Sequence, residues 1–295
     1  VEQLGYLRLA VLTASDPRAR VRAESFRSAA LRAGAQVLAF ETFEKDSSDL
    51  RQQFMKIRQA GAASEPALSF AGKMTAAEVR RLVRAGADAT LIREARRRNE
   101  TVPLSRLFGP RGREIADSLG LSVITPEVHA DDIDMPITTL DALYISLASG
   151  DEIDVVAPQL SYFNIRTQLL GSEEWNDPAQ LAANRRYTDN MLVAVDAFAD
   201  ETDSAYGAFA SGFRKWKGAP PGRMTLYGYD AMNALLGLIA SGGTTRELLA
   251  RRMGELDDEE ALHAPLRVRN RVNTSMQILK IERGSPKLIR TQTSE

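Results

Sequence analysis

Residues 140–178 spell strand, helix, strand in one continuous stretch. An apolar run of Leu140, Ala142, Leu143, Tyr144 and Ile145 gives way to an acidic helix start at Asp151. A helix-spaced segment follows, then a second short strand, Gln168-Leu169-Leu170-Gly171, and a loop holding Glu173, Glu174 and Trp175. That loop sits at the carboxyl end of the second strand. In open α/β sheets, ligands bind in the crevice beyond those ends.

The head of the chain repeats the arrangement. Residues 7–12 read as a buried strand and 16–33 as a helix with Ala23, Phe26, Ala30 and Ala33 on one face, stopped by Gly34. Residues 35–43 read as a second strand, and 49–60 as a second helix with Leu50, Phe54 and Ile57 facing inward. Successive βα units argue for a parallel sheet covered by helices. Thr75-Ala-Ala-Glu78 has the form of a capping box opening a helix with Val79, Leu82 and Val83 as its apolar stripe, ended by Gly86. Residues 106–119 read as one helix and 121–124 as a short strand.

Further along, residues 191–198 read as a strand. Residues 205–217 form an amphipathic helix whose Tyr206, Phe209, Phe213 and Trp216 are expected in the core. Gly228 is expected to open another helix, with Asp230 as a first-turn acid and Met232, Leu235, Leu236 and Ile239 as its apolar stripe, ended by Gly242-Gly243. Thr244-Thr-Arg-Glu247 has a second capping-box form. Residues 276–282 and 287–291 should make a hairpin turning at Arg283-Gly284-Ser285.

Composition narrows the function. A chain of 295 residues with 44% hydrophobic and 26% charged side chains is an ordinary folded protein. Its net charge of -1, with both signs interspersed, offers no dedicated nucleic-acid surface. The arginine run at 93–98 reads as a solvated helix face, because Glu94 and Glu100 dilute it and no aromatics interleave. The absence of cysteine excludes disulfides and thiolate ligands. No apolar run reaches the roughly 18 residues of a membrane helix, and residues 1–6 show no signal-peptide pattern.

Catalytic signals are poor. The two histidines, His129 and His263, lie far apart and read as surface residues. There is no GxSxG elbow and no HExxH. Ala71-Gly-Lys-Met-Thr75 lacks the early glycine and the hydroxyl residue after Lys73 that a phosphate loop requires. Gly109-Pro-Arg-Gly112 is a turn signal. No catalytic residue, metal or cofactor is expected, and the chain reads as a non-enzyme.

Three stretches, RLAVLTASD…AESFRSAALRAGAQVLAFETF, the 140–178 segment, and LYGYDAMNALLGLIASGGTTRELL, resemble in wording and order one known family. It is that of the type I periplasmic solute-binding proteins, the leucine/isoleucine/valine-binding family, in a branch close to the activators of penicillin-binding proteins. The resemblance covers residues 6–60 and 140–290. It implies an α/β periplasmic binding protein type I fold with doubly wound parallel-sheet lobes. Residues 1–198 would form the complete second lobe, with 61–136 as an insertion. Residues 199–275 would return to the first lobe, and 276–295 would cross the hinge as a hairpin. The resemblance also implies that the first half of lobe one precedes Val1, so the missing leader carries little weight. Without that half, the 228–240 helix should expose its apolar stripe.

The same resemblance singles out positions. The family often places a tyrosine just after the first strand of this lobe, over the ligand. Here Pro17-Arg18-Ala19-Arg20-Val21 stands there, so Arg20 replaces the aromatic and puts an aliphatic amino-acid ligand in doubt. Gly171-Ser172-Glu173 matches the loop where leucine binders carry a glutamate that pairs with the ligand ammonium. Glu173 is therefore a candidate ammonium partner, or else a first-turn acid at a helix start. Trp175 is either a wall of the cleft or a packing anchor. Arg18 and Arg20 could clamp an acidic ligand, or sit solvated at a helix start. Ser146 could line the cleft through its hydroxyl, or be a plain strand-end serine.

These readings lead to an extracytoplasmic solute-binding protein. It would take a small polar, amino-acid-like ligand between two lobes and deliver it to the permease of an ABC-type transporter. The alternative is a periplasmic or lipoprotein-anchored interaction domain that activates a penicillin-binding protein. Neither reading involves nucleic acid or a membrane-spanning segment in this chain.

Overall fold

The protein is described from a computed structural model. It describes residues 5–63, 66–72, 74–124, 133, 136–137, 139–200, 202–257, 261–263 and 265–293. Its contacts divide the chain into two compact units, Val1–Leu169 and Leu170–Glu295.

In the first unit, β1 (Arg8–Ala14) is followed by α1 (Pro17–Arg32), β2 (Gln36–Phe43) and α2 (Arg51–Ala63). Leu9, Ala10, Val11 and Leu12 are wholly buried. A strand covered on both faces takes this kind of continuous apolar run instead of an alternating one. β2 pairs with β1 in parallel, so α1 is the crossover between them. The Asp16 carboxylate caps α1 by accepting the N–H groups of Arg18 and Ala19. Gly34 follows the helix at φ +79°, the left-handed geometry of a helix stop. Leu50, Phe54 and Ile57 all face inward and are fully buried, each contributing about 1.5–3 kcal/mol of apolar burial.

A smaller assembly follows: β3 (Ala67–Ser69), α3 (Ala76–Arg84), α4 (Ala89–Arg98), β4 (Thr101–Pro103), α5 (Leu104–Phe108) and α6 (Gly112–Ser118). It has a core of its own, built around Leu68, Phe70, Leu82, Ile92, Val102 and Leu107. The capping box forms as expected, with Thr75 and Glu78 bonding reciprocally. Val83 departs from the expected stripe and is 39% exposed. The single helix expected over 106–119 is two, because Gly109 turns to φ +75° and Pro110 supplies no N–H. The strand expected at 121–124 reduces to one bridge, Ile124 with Ala67. Lys73 and His129 fall outside the described residues.

β5 (Ala142–Ser146) then pairs in parallel with the other side of β1. Asp141, just before it, accepts the N–H groups of Leu7 and Arg8 at 2.8 and 2.7 Å. Its other oxygen takes the Arg8 guanidinium, so one carboxylate fixes where both strands begin. Phe26 of α1 stacks on Tyr144 with centroids 4.1 Å apart. α7 (Ile153–Tyr162) completes the unit.

The chain passes into the second unit within β6 (Gln168–Gly171), and α8 (Pro178–Ala183), α9 (Arg185–Thr188) and β7 (Leu192–Val195) follow. β6 and β7 pair in parallel. The chain continues through α10 (Ser204–Lys217), α11 (Arg223–Ala240), α12 (Arg246–Met253), β8 (Val268–Arg269), β9 (Val272–Asn273), β10 (Ser275–Glu282) and β11 (Ser285–Thr293). β10 runs antiparallel to β7, and β11 returns along β10. Arg283 and Gly284 turn the hairpin, both at positive φ, which matches the right-handed twist of the flanking strands.

The aromatic stripe of α10 is not core: Tyr206, Phe209 and Phe213 are half-buried and Trp216 is 74% exposed. Phe209 packs on Tyr229 of α11, centroids 4.3 Å apart. α11 begins at Arg223, ahead of Gly228, which moves Asp230 from the first turn into the buried middle of the helix. His263, expected at the surface, is buried against Asp230. Thr245, and not Thr244, caps α12 by accepting the Leu248 N–H. Of the α11 stripe, Met232, Leu236 and Ile239 are each about half exposed, while Leu235 is half-buried.

Candidate functional site

The carboxyl ends of β6 and β7 open into a cavity of about 870 Å³ in the second unit. Glu173 enters it from the short 3-10 turn at Glu173–Trp175 that follows β6. Asp196 enters directly after β7, and Arg223 from the first residue of α11. Phe198, Tyr206 and Leu226 supply apolar wall. Two parallel strands thus each place a carboxylate at the end where open α/β sheets hold ligands.

Arg223 organises the polar side. Its Nη1 donates to Glu173 Oε2 at 2.9 Å, with the Glu173 side chain 24% exposed. Its guanidinium carbon lies 5.7 Å from the centre of the Tyr227 ring. Burial works against the Arg223 charge, but the carboxylates of Glu173 and Asp196 more than offset it and raise its pKa. The Tyr227 phenol is pushed upward too, first by burial and then by the neighbouring Asp196 carboxylate, so it stays protonated.

Below this layer, Tyr227 meets the edge of His263, centroids 5.0 Å apart. His263 Nδ1 contacts the Asp230 carboxylate, which also accepts the N–H groups of Leu262 and His263. The cavity's remaining charges are committed locally: Asp200 accepts from Thr202, which lowers its pKa, and Lys287 pairs with Glu282 at 2.7 Å. A cavity rimmed by Glu173, Asp196 and Asp200, with its two cations already paired, is suited to a cationic or zwitterionic solute. Among the described residues, no cluster of three or more His, Asp or Glu side chains is set to hold a metal.

The five residues singled out from sequence fare differently, and Arg18 lies exposed in the first turn of α1. Glu173 lines the cavity, already bonded to Arg223. Trp175 is fully buried and takes the packing role, its indole against Gly171. Ser146 is also fully buried, and its hydroxyl donates to the Ala19 carbonyl of α1 instead of lining a cleft. Arg20 lies exposed on α1 beside a shallow groove with Glu24, Ser28 and Arg32. Sequence reasoning misses Asp196, Arg223 and Tyr227. A strand over 191–198 runs past Asp196, and a helix opening at Gly228 leaves Arg223 and Tyr227 outside α11.

No protein-family model matches the chain, and no curated protein matches it by sequence. Solved structures do match its fold. An ABC transporter substrate-binding protein from Sphaerobacter thermophilus superposes with a TM-score of 0.57 at 14% identity, covering 99% of this chain and 62% of that one. A leucine-binding protein from Thermotoga maritima gives 0.54 at 14% identity over 99% and 62%. A solute-binding protein from R. palustris in complex with benzoate gives 0.53 at 12% identity over 100% and 62%. The fold is that of the type I periplasmic binding proteins, and the chain spans about 62% of the length of these neighbours.

Proposed function

We propose that this chain is part of an extracytoplasmic solute-binding protein serving an ABC-type transporter, and that its cavity takes a small amine-bearing or amino-acid-like solute. The observation that carries the reading is the convergence of Glu173 and Asp196 at the carboxyl ends of β6 and β7, with Arg223 held between carboxylates. Glu173 accepts the ligand ammonium and shares its oxygens with Arg223. Phe198, Tyr206 and Leu226 cover the ligand's apolar part. The solved neighbours of this fold are solute-binding proteins, which supports a binding role in preference to catalysis. Among the described residues, no helix is long and apolar enough to cross a membrane. On this reading the partner is a permease and the compartment lies outside the cytoplasm, with lipoprotein anchoring as the means of retention.

The experiment is a thermal-shift and calorimetric screen against amino acids, small peptides, polyamines, nucleosides and muropeptides. A ligand at 100 times its Kd stabilises by about 2.7 kcal/mol, an easily measured rise in Tm. Hits within one amine-bearing class, abolished by Glu173→Ala, are expected. A folded protein with no hits would overturn the transport reading and direct the search to a penicillin-binding protein partner.

A further inference from the structure

The small assembly between β3 and α6 carries charge out of proportion to its size. Residues 66–121 hold ten arginines and one lysine against six acidic side chains, a formal +5 in a chain whose net charge is -1. All ten arginines are exposed. Their placement follows the helices. On α3, Leu82 faces the small core, and Arg80 and Arg84 project from the opposite side, one turn apart. On α4, Ile92 and Ala95 face the same core, and Arg93 and Arg97 project away with the same spacing. Arg96 reaches back to the Met74 carbonyl at 3.0 Å, tying α4 to the entry of α3.

Helix electrostatics explains only part of this pattern. Cations in a last turn are favoured, which accounts for Arg81, Arg84 and the arginines ending α4. It does not account for Arg80 or Arg93 in mid-helix, or for Arg113 in the first turn of α6, where a cation opposes the dipole. Like charges one turn apart, as in Arg80 with Arg84 and Arg93 with Arg97, also repel. A polyanion would relieve that repulsion.

We propose that the arginine face of α3 and α4 docks on an anionic phospholipid surface. The same residues show why a bilayer fits better than a protein or a nucleic acid. Protein interfaces are anchored by desolvated aromatic and arginine side chains in pockets. Here Phe70 is buried and Phe108 is half-buried against the small core; among the described residues of 66–124 the exposed large apolar side chains are Val83, Val123 and Ile124, none of them aromatic. Single-stranded nucleic acid calls for stacking aromatics, which this surface does not present. A fluid headgroup layer demands neither a pocket nor a fixed register, only guanidinium forks within a Debye length of the surface. This docking is independent of the cavity in the second unit.

The test is co-sedimentation of the whole chain with vesicles of phosphatidylglycerol and phosphatidylcholine, against vesicles of phosphatidylcholine alone. Binding to the anionic vesicles only is expected, persisting in 10 mM inorganic phosphate and lost in high salt. The quadruple variant Arg80→Gln/Arg84→Gln/Arg93→Gln/Arg97→Gln should weaken it by roughly tenfold or more, with an unchanged melting curve. Arg246→Gln/Arg251→Gln on α12, which removes charge elsewhere, should bind like the parent. Equal binding to both vesicle types, or full binding by the quadruple variant, would overturn the proposal. So would tighter binding to duplex DNA than to the vesicles, which would assign the face to nucleic acid.

Discussion

Arg223 and Glu173 are joined by a 2.9 Å hydrogen bond across the mouth of the cavity, one residue opening α11 and the other following β6. The bond holds the Glu173 carboxylate in place, yet it occupies an oxygen that a ligand ammonium would use. Replacing Arg223 with Gln should therefore tighten binding of an amine-bearing ligand by a few-fold, while Glu173→Ala abolishes it. Both side chains are partly exposed, so neither change should cost more than about 1 kcal/mol of stability. Calorimetry of both variants against the best screened ligand separates these roles. Weaker binding by Arg223→Gln would instead place the guanidinium on the ligand.

Gly171 closes β6 where a methyl group has no room: a Cβ there would sit 2.6 Å from both Trp175 and Met191. Gly171→Ala should destabilise by about 1–3 kcal/mol through overpacking. Gly207, inside α10, has open space around its missing Cβ. There the same substitution should stabilise by about 0.5–1 kcal/mol, since glycine carries the larger entropy cost in a helix. Urea denaturation of the two variants should move the midpoint in opposite directions.

Asp230 is buried beneath the site, bonded to the backbone of Leu262 and His263 and to the His263 ring. Asp230→Ala leaves three polar groups without their acceptor and should cost about 3 kcal/mol or more. His263→Ala leaves the two backbone bonds in place and should cost less. If the two variants melt together, the backbone bonds contribute little and the pair acts only through the ring.

The parts legible in the sequence are those where one local rule decides. β6 is readable to the residue, because its short run lies between turn signals. The inward face of α2 follows from spacing alone, and the hairpin from Arg283-Gly284. Glu173 is reached through the resemblance of the Gly171-Ser172-Glu173 loop, which follows a strand legible in the sequence. What escapes depends on partners distant in sequence. Asp230 looks like a first-turn acid only while the helix is opened at Gly228 and not at Arg223, and neither its burial nor that of His263 shows until the segment at 261–263 folds onto α11. The α10 stripe has core periodicity, but periodicity does not say what covers it, and Trp216 stays in solvent.

The α3 cap gives a pH-dependent signature. The Thr75 N–H, and then its hydroxyl, hold the Glu78 carboxyl below its ordinary value. A depressed native pKa contributes stability that is full above the unfolded value of about 4.3. That contribution fades as the pH falls through the lower native value. An NMR titration should show Glu78 ionising below the ordinary glutamate value. Thr75→Ala should move it up towards that value, and no upward movement would show that the cap does not set it.

Met232, Leu236 and Ile239 repeat along one side of α11, each about half exposed, with Tyr229 at 39% before them and Trp216 at 74% on α10. Scattered apolar side chains at a surface are ordinary, but a run at three- and four-residue spacing on one helix makes a continuous patch. Apolar area released from water is worth about 25 cal/mol per Å², so this face should drive self-association of the 295-residue chain. Light scattering should show concentration-dependent growth, and a hydrophobic dye should fluoresce with the native protein. Met232→Glu/Leu236→Glu should suppress both while leaving the melt cooperative, since neither side chain belongs to the buried core. A monodisperse chain that leaves the dye dark would show that the patch does not drive association.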